Sequence, residues 1–154
     1  MDIRRYKPED LEEVGQLFYD TILSVNSRDY AEEQVKAWAA RRESLVKDGR
    51  RFLDSYTLVA VEGERIVGYG NMEDGGHLDH LYVHKDCQGQ GVASALCDRL
   101  EDYAFGRGAG RITVDASVTA LPFFLHRGYR VIREQYPELE GVRLKNYHME
   151  KARD

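Results

Sequence analysis

The sequence predicts an α+β fold, a mixed and largely antiparallel sheet with flanking helices. Three observations carry this reading. Apolar residues alternate between strand and helix spacing in the order βααβββαβαββ. A tight hairpin sits in mid-chain, which parallel α/β folds lack. A glycine-rich strand-to-helix junction follows at Gln88 to Ala93.

The elements follow in order. Ile3 to Tyr6 is a short strand, and Pro8-Glu9-Asp10 opens a helix, proline and acids being at home at a helix N-terminus. Leu11, Val14, Leu17, Phe18 and Ile22 form its apolar stripe. A second helix is expected over Tyr30 to Leu45, with Val35 and Trp38 on one side. Thr57 to Val61 and Ile66 to Tyr69 form a hairpin around Glu62-Gly63-Glu64. After the turn Asp74-Gly75-Gly76, His77 to His84 is a third long strand. Val92, Leu96, Leu100 and Tyr103 mark a helix that ends in Gly106 to Gly110. Arg111 to Ala116 is a strand, and Thr119 to Arg127 a helix stopped by Gly128. Strands near Tyr129 to Glu134 and Val142 to Glu150 close the chain.

The 154 residues suit one domain, 1–154, without internal repeat or linker. A net charge of −5 argues against a nucleic-acid partner and mildly favours a cationic one. No apolar run approaches the roughly 20 residues of a membrane span, and Met1 to Asp10 lacks a signal-peptide core, so the expected address is the cytoplasm. Cys87 and Cys97 lie ten residues apart with no CxxC, giving neither a redox motif nor a zinc knuckle.

The junction Gln88-Gly89-Gln90-Gly91-Val92-Ala93-Ser94 has a chemistry of its own. Small residues let a ligand approach the backbone, and the unpaired N–H groups and dipole of the following helix favour an anion such as a pyrophosphate. A P-loop would need GxxxxGK[ST], and no Lys-Ser/Thr follows. A dinucleotide fingerprint would need glycine where Ser94 stands.

The segment resembles motif A of the GNAT N-acetyltransferase superfamily, [Q/R]-x-x-G-x-[G/A], with Gln88, Gly91 and Ala93 at its fixed positions. Leu81-Tyr82-Val83-His84 is similar to the family's pantetheine-pairing strand, and Ala120 to Tyr129 to its motif B. Asn146-Tyr147-His148-Met149 resembles the last strand, of a YafP-like bacterial subgroup in particular. The resemblance spans nearly the whole chain.

It implies a GNAT fold with splayed parallel strands in the centre, His77 to His84 and Arg111 to Ala116, and acetyl-CoA as cosubstrate between them. Main-chain N–H groups from Gln88 through Gly89, Gln90, Gly91 and Val92 to Ala93 and Ser94 would hold its pyrophosphate. Leu81, Tyr82 and Val83 would lie along the pantetheine arm, near Phe124. Lys85, Arg99 and Arg107 are candidates for the 3′-phosphate. The implied activity is direct acetyl transfer to a primary amine, of a small molecule or a peptide N-terminus, with no metal. A non-catalytic acyl-CoA-binding module is the alternative. Relatives pair as dimers, so a homodimer is an assembly to test.

Acetyl transfer needs a neutral amine, donors to the thioester oxygen and a proton for the leaving thiolate. Strand parity groups His77, Asp79, Leu81 and Val83 on one face, with His80, Tyr82 and His84 on the other. That division also weakens a metal site among these side chains. Where relatives carry a glutamate base, Asp79 and His77 are the substitutes. Where they carry a tyrosine acid, this chain has Phe124, which leaves Tyr147, and less directly Tyr129, as candidates. Phe18, Tyr19, Tyr30 and Trp38 are candidates for the acceptor wall, and Asn146 for a polar contact at the cleft.

Overall fold

The computed structural model describes residues 1–153. Strands β1 (Asp2–Arg5), β2 (Tyr56–Glu62), β3 (Arg65–Glu73), β4 (His77–Val83), β5 (Arg111–Ser117), β6 (Arg130–Gln135), β7 (Glu138–Leu139), β8 (Val142–Arg143) and β9 (Asn146–Ala152) alternate with helices. The helices are α1 (Leu11–Ser24), α2 (Glu32–Ala39), α3 (Arg42–Asp48), α4 (Val92–Gly106) and α5 (Leu121–His126). A seven-stranded sheet runs β1-β2-β3-β4-β5-β9-β6, and β7 with β8 forms a separate hairpin. All sheet pairings are antiparallel except β4 with β5.

Helix α1 starts where Asp10 accepts the Lys7 N–H at 2.8 Å and is gripped by both Arg4 Nη atoms, satisfying groups that a helix start leaves open. The helix expected over Tyr30 to Leu45 is two helices, broken near Ala40 and Arg41. The break lets Val35 and Ala39 face the sheet from one axis and Leu45 from another. The final strand expected from Val142 is likewise divided, with the β7–β8 hairpin taking its beginning.

The sheet separates two cores. On one face α4 packs Leu96 and Leu100 onto Leu58, Val67, Leu78, Ile112, Val114 and Met149. On the other, α1 sets Val14, Phe18 and Ile22 against Val59, Ile66, Tyr69 and Phe52. Gly68 is where α4 comes closest to the sheet. A Cβ there would stand 2.8 Å from Val92 Cγ1 and 3.3 Å from the Tyr82 carbonyl. Gly68→Ala is therefore expected to cost about 1–3 kcal/mol, read as a lower urea midpoint.

Strand parity fails within β4. Met72 faces Leu78 and Asn71 faces His80, so Asp79 has no partner across the ladder and bulges. The buried Asn71 side chain fills the gap, accepting the His80 N–H at 2.9 Å. Leu78, Leu81 and Val83 consequently face α4, whereas His80 and Tyr82 meet Phe18 and Tyr69. Asp79 and His77 lie on the side of His80, not of Leu81, which corrects the faces assigned from the sequence.

Candidate active site

Between β4 and β5 the sheet opens. The parallel ladder holds only His77 to Thr113 and Leu78 to Val114, after which the strands part. The His84 N–H bonds the Val67 carbonyl, so by alternation Tyr82 turns its main chain to β3. Leu81 and Val83 turn theirs to the gap. The gap leads into a cleft of about 440 Å³ lined by β4, β5, the glycine junction, α5 and the end of α1.

At the mouth, Gln88 anchors the junction by donating from Nε2 to the Val83 carbonyl at 2.6 Å. Gly91 caps α4 at φ +83°, in the left-handed region, and a Cβ on it would meet nothing within 4 Å. That empty space lies beside the first-turn N–H groups of a 15-residue helix. A doubly charged diphosphate fits such a cradle, because the backbone can close on it and the dipole points at it. Leu81, Tyr82, Val83, Gln88, Gly89, Gly91, Val92, Ala93, Ser94 and Phe124 all line the cleft. Gln90 does not; its amide turns back to the Asp86 carbonyl. Of the candidate phosphate cations, Arg99 donates to the Ile3 carbonyl and Arg107 lies over the Tyr103 ring.

The expected catalytic residues are dispersed. Asp79 lines the cleft, yet both its oxygens are taken, by Arg51 Nη1 at 3.1 Å each and by Asn71 Nδ2 at 3.0 Å. Burial alone would raise its pKa, but the hydrogen bond from Asn71 and the Arg51 guanidinium hold the carboxyl below the usual range. A carboxylate so saturated is a poor proton acceptor. His77 lies outside the cleft lining, with Nδ1 2.8 Å from Thr113 Oγ1. Tyr147 is also outside it, packed toward the α4-side core with the Lys145 ammonium over its ring. Tyr129 is buried and donates to Glu101 at 2.9 Å. Phe124 is 2% exposed at the cleft floor.

Trp38 and Asn26 line one wall of the cleft, together with Thr21, whose hydroxyl has no partner among the described residues. Tyr30 braces this wall, donating to the Lys145 carbonyl and accepting the Val118 N–H, with its ring against Trp38. Phe18 backs His80 and Tyr82 from the core, and Tyr19 faces away under Arg42. Asn146, at the start of β9, has a buried Oδ1 without a partner among the described residues.

Sequence reasoning passed over His80, Arg51 and Asp115. His80 lines the cleft, its side chain 11% exposed and packed among Phe18, Phe52, Tyr69 and Tyr82, with Nδ1 2.9 Å from the Tyr69 hydroxyl. Burial pushes its imidazole below the usual pKa, so it stands neutral at pH 7. The only trace of Asp115 in the sequence was an acid between Val114 and Ala116. No group of three or more metal-ligating side chains comes together among the described residues.

A family model described as an acetyltransferase (GNAT) domain matches residues 26–151. The Escherichia coli (strain K12) protein named uncharacterized N-acetyltransferase YafP is 31% identical over 149 residues, covering 97% of this chain and 94% of that protein. A crystal structure from Rhodopseudomonas palustris, described as a GCN5-related N-acetyltransferase, superposes with a TM-score of 0.94 at 36% identity, over 98% of this chain and 94% of that one. PaiA N-acetyltransferase from Thermoplasma acidophilum, crystallised with coenzyme A, shares the fold at a TM-score of 0.78 and 18% identity, over 99% and 98% of the two chains. With the splayed strands and the glycine cradle, these matches establish that the chain belongs to the GNAT acetyltransferase superfamily and is an acyltransferase.

Proposed function

We propose that residues 1–154, as one domain, transfer an acetyl group from acetyl-CoA directly to a primary amine of a small molecule or a peptide N-terminus. The observation that carries this reading is the continuity of one cleft. It joins an anion cradle, an open strand edge and a polar far wall. The cradle N–H groups from Gln88 to Ala93 would hold the diphosphate, and the edge of Leu81 and Val83 would hydrogen-bond the pantetheine amides as a neighbouring strand would. The thioester would then lie near the β4 bulge, facing the wall of Thr21, Asn26 and Trp38.

Phe124 offers no proton at the position where relatives keep a tyrosine, and Tyr147 lies off the cleft. The departing thiolate therefore takes its proton from the amine in this scheme. Cys87 and Cys97 have no part in direct transfer; burial raises the Cys97 thiol, which leaves it un-ionised at pH 7.

Free-thiol detection with acetyl-CoA and a panel of amines tests the reading. Thiol release that depends on a primary amine, with a matching N-acetyl product by mass, is the expected outcome. Coenzyme binding without thiol release from any acceptor would instead favour the non-catalytic acyl-CoA-binding module.

A further inference from the structure

We infer that Asp115, held in place by His148, takes the proton that an acceptor ammonium must lose, an inference resting on the amine transfer proposed above. Two carboxylates line the cleft, Asp79 and Asp115. Those of Asp79 are consumed by Arg51 and Asn71. Asp115 differs in having one oxygen engaged and the other open. Its Oδ1 accepts from His148 Nδ1 at 2.8 Å and from Gln135 Nε2 at 2.8 Å. Its Oδ2 accepts no hydrogen bond among the described residues, and His77 Nε2 stands 3.8 Å away.

The fold explains why this pair sits beside the cleft. Asp115 and His148 are direct partners in the β5–β9 ladder, so their side chains share a face. That face is opposite to Val114 and Ala116, which pack under α4. It carries polar side chains from four strands: His77 from β4, Thr113 and Asp115 from β5, His148 and Glu150 from β9, and Gln135 from β6. Gln135, the His148 Nδ1–H and the ladder fix the carboxylate with Oδ2 turned free. The charged groups around His148 are Asp115 on β5, His77 on β4 and Arg133, its ladder partner on β6. Glu150 stands two positions along β9, held by Arg111 and Arg130.

The step balances as follows. The ammonium gives one proton to Asp115 Oδ2, which passes it to solvent while the His148 Nδ1–H and the Gln135 amide keep hold of Oδ1. The neutral amine nitrogen forms a bond to the thioester carbon, the carbon–sulfur bond breaks, and the second N–H proton leaves with the thiolate. Gln135 and His148 are positioning residues for Asp115.

The test measures kcat/KM for the best amine against pH, with acetyl-CoA affinity and Tm alongside. Asp115→Asn should lower kcat/KM at pH 7 by about 10²-fold, and His148→Gln by about 10-fold. Both should recover toward wild type near pH 10, where the amine is neutral without help, while coenzyme Kd and Tm stay within error. A structural role for Asp115 would instead lower activity equally at every pH or lower Tm. Either result overturns the pair, as does a wild-type profile in both variants. The pH-recovery pattern appearing in Asp79→Asn in place of Asp115→Asn would also overturn it. Wild-type protein that releases no thiol with any amine overturns the transfer reading and this inference with it. Turnover that is indifferent to Asp115→Asn overturns the inference alone.

Discussion

Replacing Gly91 with tryptophan should weaken coenzyme A binding by at least about 100-fold, while replacing it with alanine should weaken it far less. The two substitutions share one cost and differ in another. Any L-residue at φ +83° is strained by about 1–2 kcal/mol, since its Cβ crowds the carbonyl. That strain should lower Tm by a few degrees in both variants alike. The bulk differs. A Cβ at Gly91 meets nothing within 4 Å, so the protein itself tolerates the added atoms. An indole placed there would occupy the volume in front of the α4 N–H groups, where a diphosphate would sit. Calorimetric titration with coenzyme A, read beside thermal melts, separates the two costs. Equal affinities for the alanine and tryptophan variants would remove the cradle as the coenzyme site.

Glu101→Ala is expected to be the most damaging single change to stability, at about 3–5 kcal/mol, or roughly 10 °C in Tm. The Glu101 side chain is 7% exposed and accepts from Arg127 Nε and Nη2, Lys151 Nζ and the Tyr129 hydroxyl. These donors come from the end of α5, from β9 and from the start of β6, so one carboxylate on α4 ties three later elements down. Removing it leaves the Arg127 guanidinium, 13% exposed, with the surface carboxylate of Asp98 and a long 3.5 Å contact to the Ser94 carbonyl. Burial raises the Glu101 pKa, but the hydrogen bonds from Arg127, Lys151 and Tyr129 prevail and the net shift is downward. The sign follows. A carboxyl depressed in the folded state contributes stability above its unfolded value, about pH 4.3, and loses it as pH falls through the lower folded value. The urea midpoint of the native protein should therefore fall on acidification below about pH 4.3, and that of Glu101→Gln should fall less over the same window.

The fold class, the order of the main elements and the glycine cradle could all be read in the sequence, because each is a local signal. Helical spacing in Val92, Leu96 and Leu100, or two glycines at a helix start, report their own neighbourhood. What escaped depended on distant partners. The break between α2 and α3 follows from how Leu45 must reach the core, since no glycine or proline marks it. The bulge at Asp79 needs the Asn71 side chain from the next strand to fill its ladder position, and a period of two cannot anticipate a skipped residue. The catalytic candidates suffered most from that skip. Asp79 was expected beside Leu81 and stands instead among Arg51, Asn71 and His80. Asp115 and His148 lie 33 positions apart in the chain, and only the β5–β9 register brings them together.

The brevity of the β4–β5 ladder also bears on how the molecule would come apart. β1 through β4 form one ribbon, and β5, β9 and β6 another, with a two-pair seam between them. The first strand belongs to one ribbon and the last to the other, so tension between the chain ends loads that seam directly. A cosubstrate lying along it would act as a rivet, making mechanical and chemical occupancy of this enzyme two readings of one event.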